Sequence, residues 1–320
     1  MRIAWTAPFP DLPEGPLVAD ETRLFVATRD GGVQALDLET GKTLWHVPDR
    51  PARLAAGAGA VVLHQLSGTV LCLQAANGQT RWSVDSGVPG DLPPVVDGDR
   101  VYVAGHGLIA LELASGKVLW QAAETTAVTA VPAAAGARIL VGESDGTLRA
   151  RQRETGASVW TFKTAAALAA PPVFDGAERI FLGTTDRRIV ALHADKGEIA
   201  WRWKIGNDVQ APGFLHDNRA VFAAYDAVLY SLDRGNGNLG WRAPLPSRPI
   251  GGPVLVGDDA LVACRENEVL GYDLVTGKPR GGLRATAEIR TAPLVVGRRL
   301  FLGLRDRTVV ALDLGAPTTP

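Results

Sequence analysis

A motif recurs about every forty residues along the whole chain, and that period constrains the fold more than any other feature. Its copies are ALDLETGKTLW ending at Trp45, CLQAANGQTRW at Trp82, ALELASGKVLW at Trp120, ARQRETGASVW at Trp160, ALHADKGEIAW at Trp201 and SLDRGNGNLGW at Trp241. A seventh, GYDLVTGKPRG, has Gly281 in the tryptophan position, and an eighth stops short at ALDLG, residues 311–315. The turn glycines Gly41, Gly78, Gly116, Gly156, Gly197, Gly237, Gly277 and Gly315 follow one another at intervals of 37, 38, 40, 41, 40, 40 and 38.

Within each copy, short runs of Val, Ile, Leu, Phe and Tyr are bounded by Gly, Asp, Asn or Pro, the pattern of strands and tight turns. No run is long and periodic enough for a helix. Four strands fit each copy. In the first they are Pro16 to Ala19 (A), Arg23 to Thr28 (B), Val33 to Leu38 (C) and Lys42 to Val47 (D), with hairpins at Asp30-Gly31 and Thr40-Gly41. Glycine accepts the positive φ of such turns, and Asp or Asn beside it bonds to the local backbone.

The eighth copy holds strands A to C within 288–314 but lacks the tryptophan-bearing fourth. Residues 2–7, Arg2-Ile3-Ala4-Trp5-Thr6-Ala7, resemble that missing strand, so the N-terminus should complete the last blade and protect its edge. The expectation is one all-β domain over 1–320: an eight-bladed β-propeller of four-stranded antiparallel blades, closed by its N-terminal strand.

Trp5, Trp45, Trp82, Trp120, Trp160, Trp201 and Trp241 share one D-strand position, which argues for a packing role. Each ring should cover the neighbouring blade and set its indole N–H on a backbone carbonyl. Trp203, two residues past Trp201, should share that face of its strand.

The pattern A-x-D-x-x-T-G-x-x-x-W, fullest at Ala35 to Trp45, resembles the tryptophan-docking repeat of the PQQ-like propeller family, and the likeness spans nearly the whole chain. That family includes pyrroloquinoline quinone dehydrogenases and non-catalytic members such as the propeller lipoprotein of the outer-membrane β-barrel assembly machinery. The resemblance therefore implies a fold far more sharply than a function.

For a dehydrogenase, the resemblance implies a quinone, a calcium ion, a catalytic Asp and often adjacent cysteines. Here Cys72 and Cys264 stand far apart, the repeats are compact, and no clustered Asp, Asn and Glu run reads as a calcium loop, so no cofactor and no metal are expected. His46, His64, His106, His193 and His216 fall in no hydrolase motif. His106, in the shortened turn Gly105-His106-Gly107, is the one histidine placed to reach a mouth of the propeller.

A formal net charge of -1, from 33 Lys plus Arg against 34 Asp plus Glu, attracts neither nucleic acid nor anionic lipid. No run of apolar residues is long enough to insert in a membrane, and the first ten residues have no signal-peptide core. The chain as written reads as cytoplasmic, and as periplasmic if it is a trimmed mature form. Two lone cysteines read as buried thiols.

Function should then lie on loops, where the B–C and D–A connections gather on one face. The B–C set offers Arg29, Asp186, Arg187, Arg188, Tyr225, Arg265, Arg305 and Arg307; the D–A set offers Arg50, Arg53, Asp208, Gln210, Arg248 and Arg290. Guanidinium forks suit carboxylates and interface hot spots, so this face should receive an acidic loop or peptide. The seventh copy, with Lys278-Pro279-Arg280-Gly281-Gly282, should have an irregular outer edge, either a drifted repeat or a docking notch. The first expectation is a monomeric, non-catalytic scaffold with a protein partner. The alternatives are a propeller sensing a small molecule in its central channel and, third, a quinone-dependent dehydrogenase.

Overall fold

A computed structural model describes residues 2–29, 32–48, 52–123 and 126–314. The Asp30-Gly31 turn, Arg50 and Gly315 lie outside the described residues. The strands form eight four-stranded antiparallel sheets, each an A-B-C-D meander, and the fold is an eight-bladed β-propeller. The blades divide equally between two compact units, 1–49 with 213–320, and 50–212.

In the first unit, blade 1 comprises Val18–Ala19, Arg23–Ala27, Val33–Asp37 and Thr43–Val47. Blade 6 is Phe214–His216, Arg219–Ala224, Val228–Asp233 and Leu239–Pro244; blade 7 is Val254–Val256, Asp259–Cys264, Glu268–Asp273 and Pro279–Arg284. Blade 8 takes Leu294–Val296, Arg299–Gly303 and Thr308–Asp313 from one end of the chain and Arg2–Pro8 from the other. That last strand runs antiparallel to its neighbour from Arg2 opposite Asp313 to Pro8 opposite Thr308, which is the closure expected of the N-terminus.

In the second unit, blade 2 is Ala52–Gly57, Ala60–Gln65, Thr69–Gln74 and Thr80–Asp85, and blade 3 is Val95–Asp97, Arg100–Ala104, Leu108–Glu112 and Val118–Ala122. Blade 4 is Val128–Ala135, Arg138–Glu143, Thr147–Gln152 and Ser158–Lys163, and blade 5 is Val173–Phe174, Arg179–Gly183, Arg188–His193 and Ile199–Lys204. Strands B and C are buried on both faces, whereas D strands alternate, so the core lies between facing sheets of successive blades. Among the described residues no helix is long and apolar enough to cross a membrane.

The repeat motif is a junction between blades. The indole N–H groups of Trp5, Trp82, Trp120, Trp160 and Trp241 donate to the carbonyls of Leu38, Leu113, Arg153, Ala194 and Leu274 on the following blade, at 2.8–3.1 Å. Each ring lies flat over that blade's C–D turn glycine: a Cβ on Gly41, Gly116, Gly156, Gly197 or Gly277 would fall 2.4–2.7 Å from ring carbons. The glycine therefore serves both the positive φ and the ring above it.

Strand B adds a second donor that the repeat pattern did not reveal. Arg299, Arg100 and Arg138, each first in its strand, donate to the same carbonyls of Leu38, Arg153 and Ala194 at 2.8–3.0 Å, and Arg219 reaches the carbonyl of Val275 at 3.2 Å. Blade 7 has Asp259 there and Gly281 for tryptophan. Its outer strand nonetheless pairs from Glu268 opposite Arg284 to Tyr272 opposite Pro279, with the bulge that every other D strand shows, and the irregularity expected of this edge is confined to Gly281, at φ 119°. A physical reason is at hand. Strands C and D of blade 8 come from opposite ends of the chain and are not joined by a hairpin, so the seventh blade faces no turn of the kind the other tryptophans cover.

The Asp and Thr of the motif build the turn itself. Asp37 Oδ1 accepts the Thr40 N–H at 2.8 Å and hydroxyl at 2.7 Å, and Asp273 does the same for Thr276 at 2.6 and 2.7 Å. These bonds, the threonine hydroxyl's first, hold both carboxyls below their usual range. A depressed folded pKa gives stability that is present above the unfolded value, about pH 4, and lost as pH falls through the folded one. Asp273→Asn should therefore flatten the fall in denaturation midpoint below about pH 4, measured by urea titration at stepped pH.

Candidate interaction face

The connections named from the sequence are tied together blade by blade. In the first unit, the N–H of Arg29 donates to Leu12 O at 3.0 Å, that of Arg265 to Arg248 O at 3.1 Å and that of Arg305 to Glu288 O at 2.8 Å. Each bond joins a B–C turn to the preceding D–A loop, so both sit at one end of their sheet.

Much of the arginine charge there is already matched. Arg305 reaches Glu288 at 2.7 Å and Arg290 approaches it at 3.6 Å; Arg305, with Arg290 alongside, holds the Glu288 carboxyl below the usual range. Arg29 lies 3.4 Å from Glu14, and Arg307 donates to Pro10 O at 3.1 Å. Arg248 stands over the Tyr225 ring, 5.7 Å from its centroid, a cation–π contact. The exposed Arg265 side chain makes no hydrogen bond or ion pair among the described residues.

In the second unit, Arg188 pairs with Asp186, which also accepts the Thr184 hydroxyl, so these two expected site residues serve one another. Arg53 pairs with Asp91 at 2.8 Å. Asp208 is half-buried, its N–H taken by Asn207 Oδ1 at 2.8 Å, and Gln210 is exposed. Arg187 is exposed with no side-chain partner among the described residues, while its carbonyl accepts from Ile205 N at 3.1 Å. His106 is exposed in its shortened turn.

Backbone conformation singles out two of these arginines. The residue before strand C turns through positive φ, and blades 1, 2 and 4 use Gly32, Gly68 and Gly146 there, at 81°, 95° and 89°. Blades 5 to 8 use Arg187, Ala227, Asn267 and Arg307, at 64°, 59°, 65° and 65°. A left-handed conformation costs a side-chain-bearing residue about 1 kcal/mol or more. In blades 5 and 8 an exposed arginine thus stands where glycine would be less strained, as alanine and asparagine do in blades 6 and 7.

His64 carries a role its sequence context did not signal. It is fully buried, with Nδ1 3.0 Å from Leu92 O and Nε2 2.9 Å from Val88 O, and so pins the D–A loop that leads into blade 3. The donor set for a calcium-bound quinone does not fit. Among the described residues no three His, Cys, Asp or Glu side chains converge as metal ligands, and the Cys72 and Cys264 thiols are buried in separate strands, where burial pushes each up to about 11.

A family model described as Outer membrane protein assembly factor BamB matches residues 2–67, 66–165, 144–283 and 226–316. The chain is 27% identical over 318 residues to the serine/threonine-protein kinase AfsK of Streptomyces griseus, covering 93% of this chain but 34% of the kinase. It is 26% identical over 259 residues to BamB of Moranella endobia, covering 72% of this chain and 56% of that protein. BamB of Yersinia pestis is 25% identical over 330 residues, with 91% and 82% covered. The chain thus spans about a third of the kinase and little over half of the Moranella protein. Among solved structures, BamB from Moraxella catarrhalis superposes with a TM-score of 0.84 at 18% identity, 99% of each chain covered. A quinohemoprotein alcohol dehydrogenase from Pseudomonas putida gives 0.77 at 13%, covering 99% of this chain and 76% of the enzyme. At such identities the structural likenesses establish the fold alone. Matched by that model from residue 2 to residue 316, the chain belongs to the PQQ-like propeller family of the outer membrane protein assembly factor BamB.

Proposed function

We propose that this chain is a non-catalytic propeller scaffold for protein–protein interaction in outer-membrane protein assembly, acting as one domain through its turn arginines. The observation that carries the reading is the exposure of Arg187 and Arg307 at B–C turns whose left-handed backbone is taken by glycine in blades 1, 2 and 4 and by Ala227 and Asn267 in blades 6 and 7. A guanidinium fork there can take a carboxylate through two parallel hydrogen bonds, a geometry lysine does not offer. The relatives named as assembly factors supply the setting, and the poor fit to a calcium–quinone site weighs against dehydrogenase chemistry.

The tagged protein, recovered from its own membranes, should bring down outer-membrane assembly proteins identified by mass spectrometry. Arg187→Glu with Arg307→Glu should lower that recovery by about tenfold, with the thermal unfolding profile unchanged. Undiminished recovery with the double variant, or micromolar heat on titration with pyrroloquinoline quinone plus calcium, overturns the reading.

A further inference from the structure

A cavity of 240 Å³ lies in the second unit between blades 4 and 5, lined by Phe162, Lys163, Arg188, Val190, Ile199 and Arg202 and by the carboxylate of Asp186. The strand register accounts for it. Arg188 stands opposite Lys204 and Val190 opposite Arg202, so these four share one face of blade 5, the face turned toward Phe162 and Lys163. The floor is apolar: Val190 is buried, Phe162 half-buried, and Ile199 is 43% exposed.

The rim is cationic and incompletely matched. Lys163 reaches Asp145 at 2.5 Å, and Arg188 takes Asp186, the lining's one carboxylate, which Thr184 also occupies. Arg202 and Lys204 make no side-chain hydrogen bond or ion pair among the described residues, and the outward Arg187 stands one residue from Arg188. In a chain of formal net charge -1, this concentration of cations is local and not a consequence of composition.

We infer that this groove docks an extended acidic segment of a partner protein that inserts one large apolar side chain between its carboxylates. The proposal rests on the scaffold reading and names the chemistry of its partner. Size decides between anchor and cofactor: small-molecule sites typically enclose about 300–1,000 Å³, and this cavity falls below that range while accepting a side chain such as phenylalanine. Charge decides the flanks. Arg202 and Lys204 lie on the apolar floor's own face, so carboxylates on either side of the anchor meet cations that have no other partner.

The test is a fluorescence anisotropy titration with a fluorescein-labelled Asp-Glu-Phe-Glu-Asp peptide. Binding in the micromolar range should weaken by about tenfold in Arg202→Glu with Lys204→Glu, and likewise when the peptide's Phe is replaced by Ala. Arg202→Gln with Lys204→Gln should lose less, and a charge reversal at the exposed Lys42, Lys42→Glu, should bind as the parent does. Equal binding of parent and charge-reversed protein, of the Phe and Ala peptides, or of a Lys-Lys-Phe-Lys-Lys peptide would each overturn the groove. Such a result, with assembly-protein recovery still lost in the Arg187 and Arg307 double variant, removes the groove and leaves the scaffold reading. Peptide binding that behaves as expected, with that recovery undiminished, leaves the groove and removes the turn arginines as the contact of the scaffold.

Discussion

Gly156→Ala should destabilise the protein by about 3 kcal/mol, read as a fall in the urea denaturation midpoint. Two costs add. Gly156 sits at φ 71°, where a side chain is strained by about 1 kcal/mol. The added methyl would also fall 2.5 Å from Cε3 of Trp120, a ring fixed by its bond to Arg153 O at 2.9 Å. Gly176 is the natural control. Its φ is 79°, yet nothing lies within 4 Å of the position its Cβ would take. Gly176→Ala should therefore show only the strain, about 1 kcal/mol. Equal losses at the two sites would mean that the ring moves aside freely and that docking over the glycine contributes nothing.

Trp120→Ala should cost about 4 kcal/mol, whereas Trp120→Phe should cost about 1 kcal/mol. Trp120 is 8% exposed and packs on Tyr102, ring centroids 5.9 Å apart, so truncation opens a cavity between blades 3 and 4. Phenylalanine keeps most of that packing and gives up the N–H. Arg153 O then still holds the Arg100 guanidinium at 3.0 Å, so the carbonyl is not orphaned. The two sites are coupled. In Trp120→Ala the space above Gly156 is empty, and adding Gly156→Ala should cost only the backbone strain, about 1 kcal/mol. Strict additivity of the two denaturation midpoints would contradict the stacked geometry.

Much of this was legible in the sequence because it repeats. Glycine and tryptophan at constant spacing fixed strand number, blade number and docking residue, and the stray Trp5 gave away the closing strand. The strand-B arginine beside four of the docking tryptophans was not legible. Arg100 and Arg138 head ordinary strands, and their acceptors lie 53 and 56 residues away on another blade, so in a linear reading they are surface charges. The same limit applies to the loop face. Arg29, Arg188, Arg290 and Arg305 look alike on paper, yet each is partnered: Arg188 and Arg290 by a carboxylate two residues away, Arg29 and Arg305 by one that only the folded turns bring near. What distinguishes Arg187 and Arg307 is a backbone angle, which residue type does not encode. Blade 7 shows the converse error: Pro279 and the paired glycines suggested a broken edge, but the ladder runs through them, and the bulge falls at Arg280, next to Pro279, as it does at the matching place of the other D strands.

The closing strand also sets a timetable. Arg2 and its partner Asp313 are 311 residues apart, so the strand that completes blade 8 leaves the ribosome hundreds of residues before its partner is made. At about 5–20 residues per second, that strand waits roughly 15–60 s with its hydrogen-bonding edge and its tryptophan unpaired. Seven blades can be assembled hairpin by hairpin as the chain emerges; the eighth forms only when synthesis has passed residue 313.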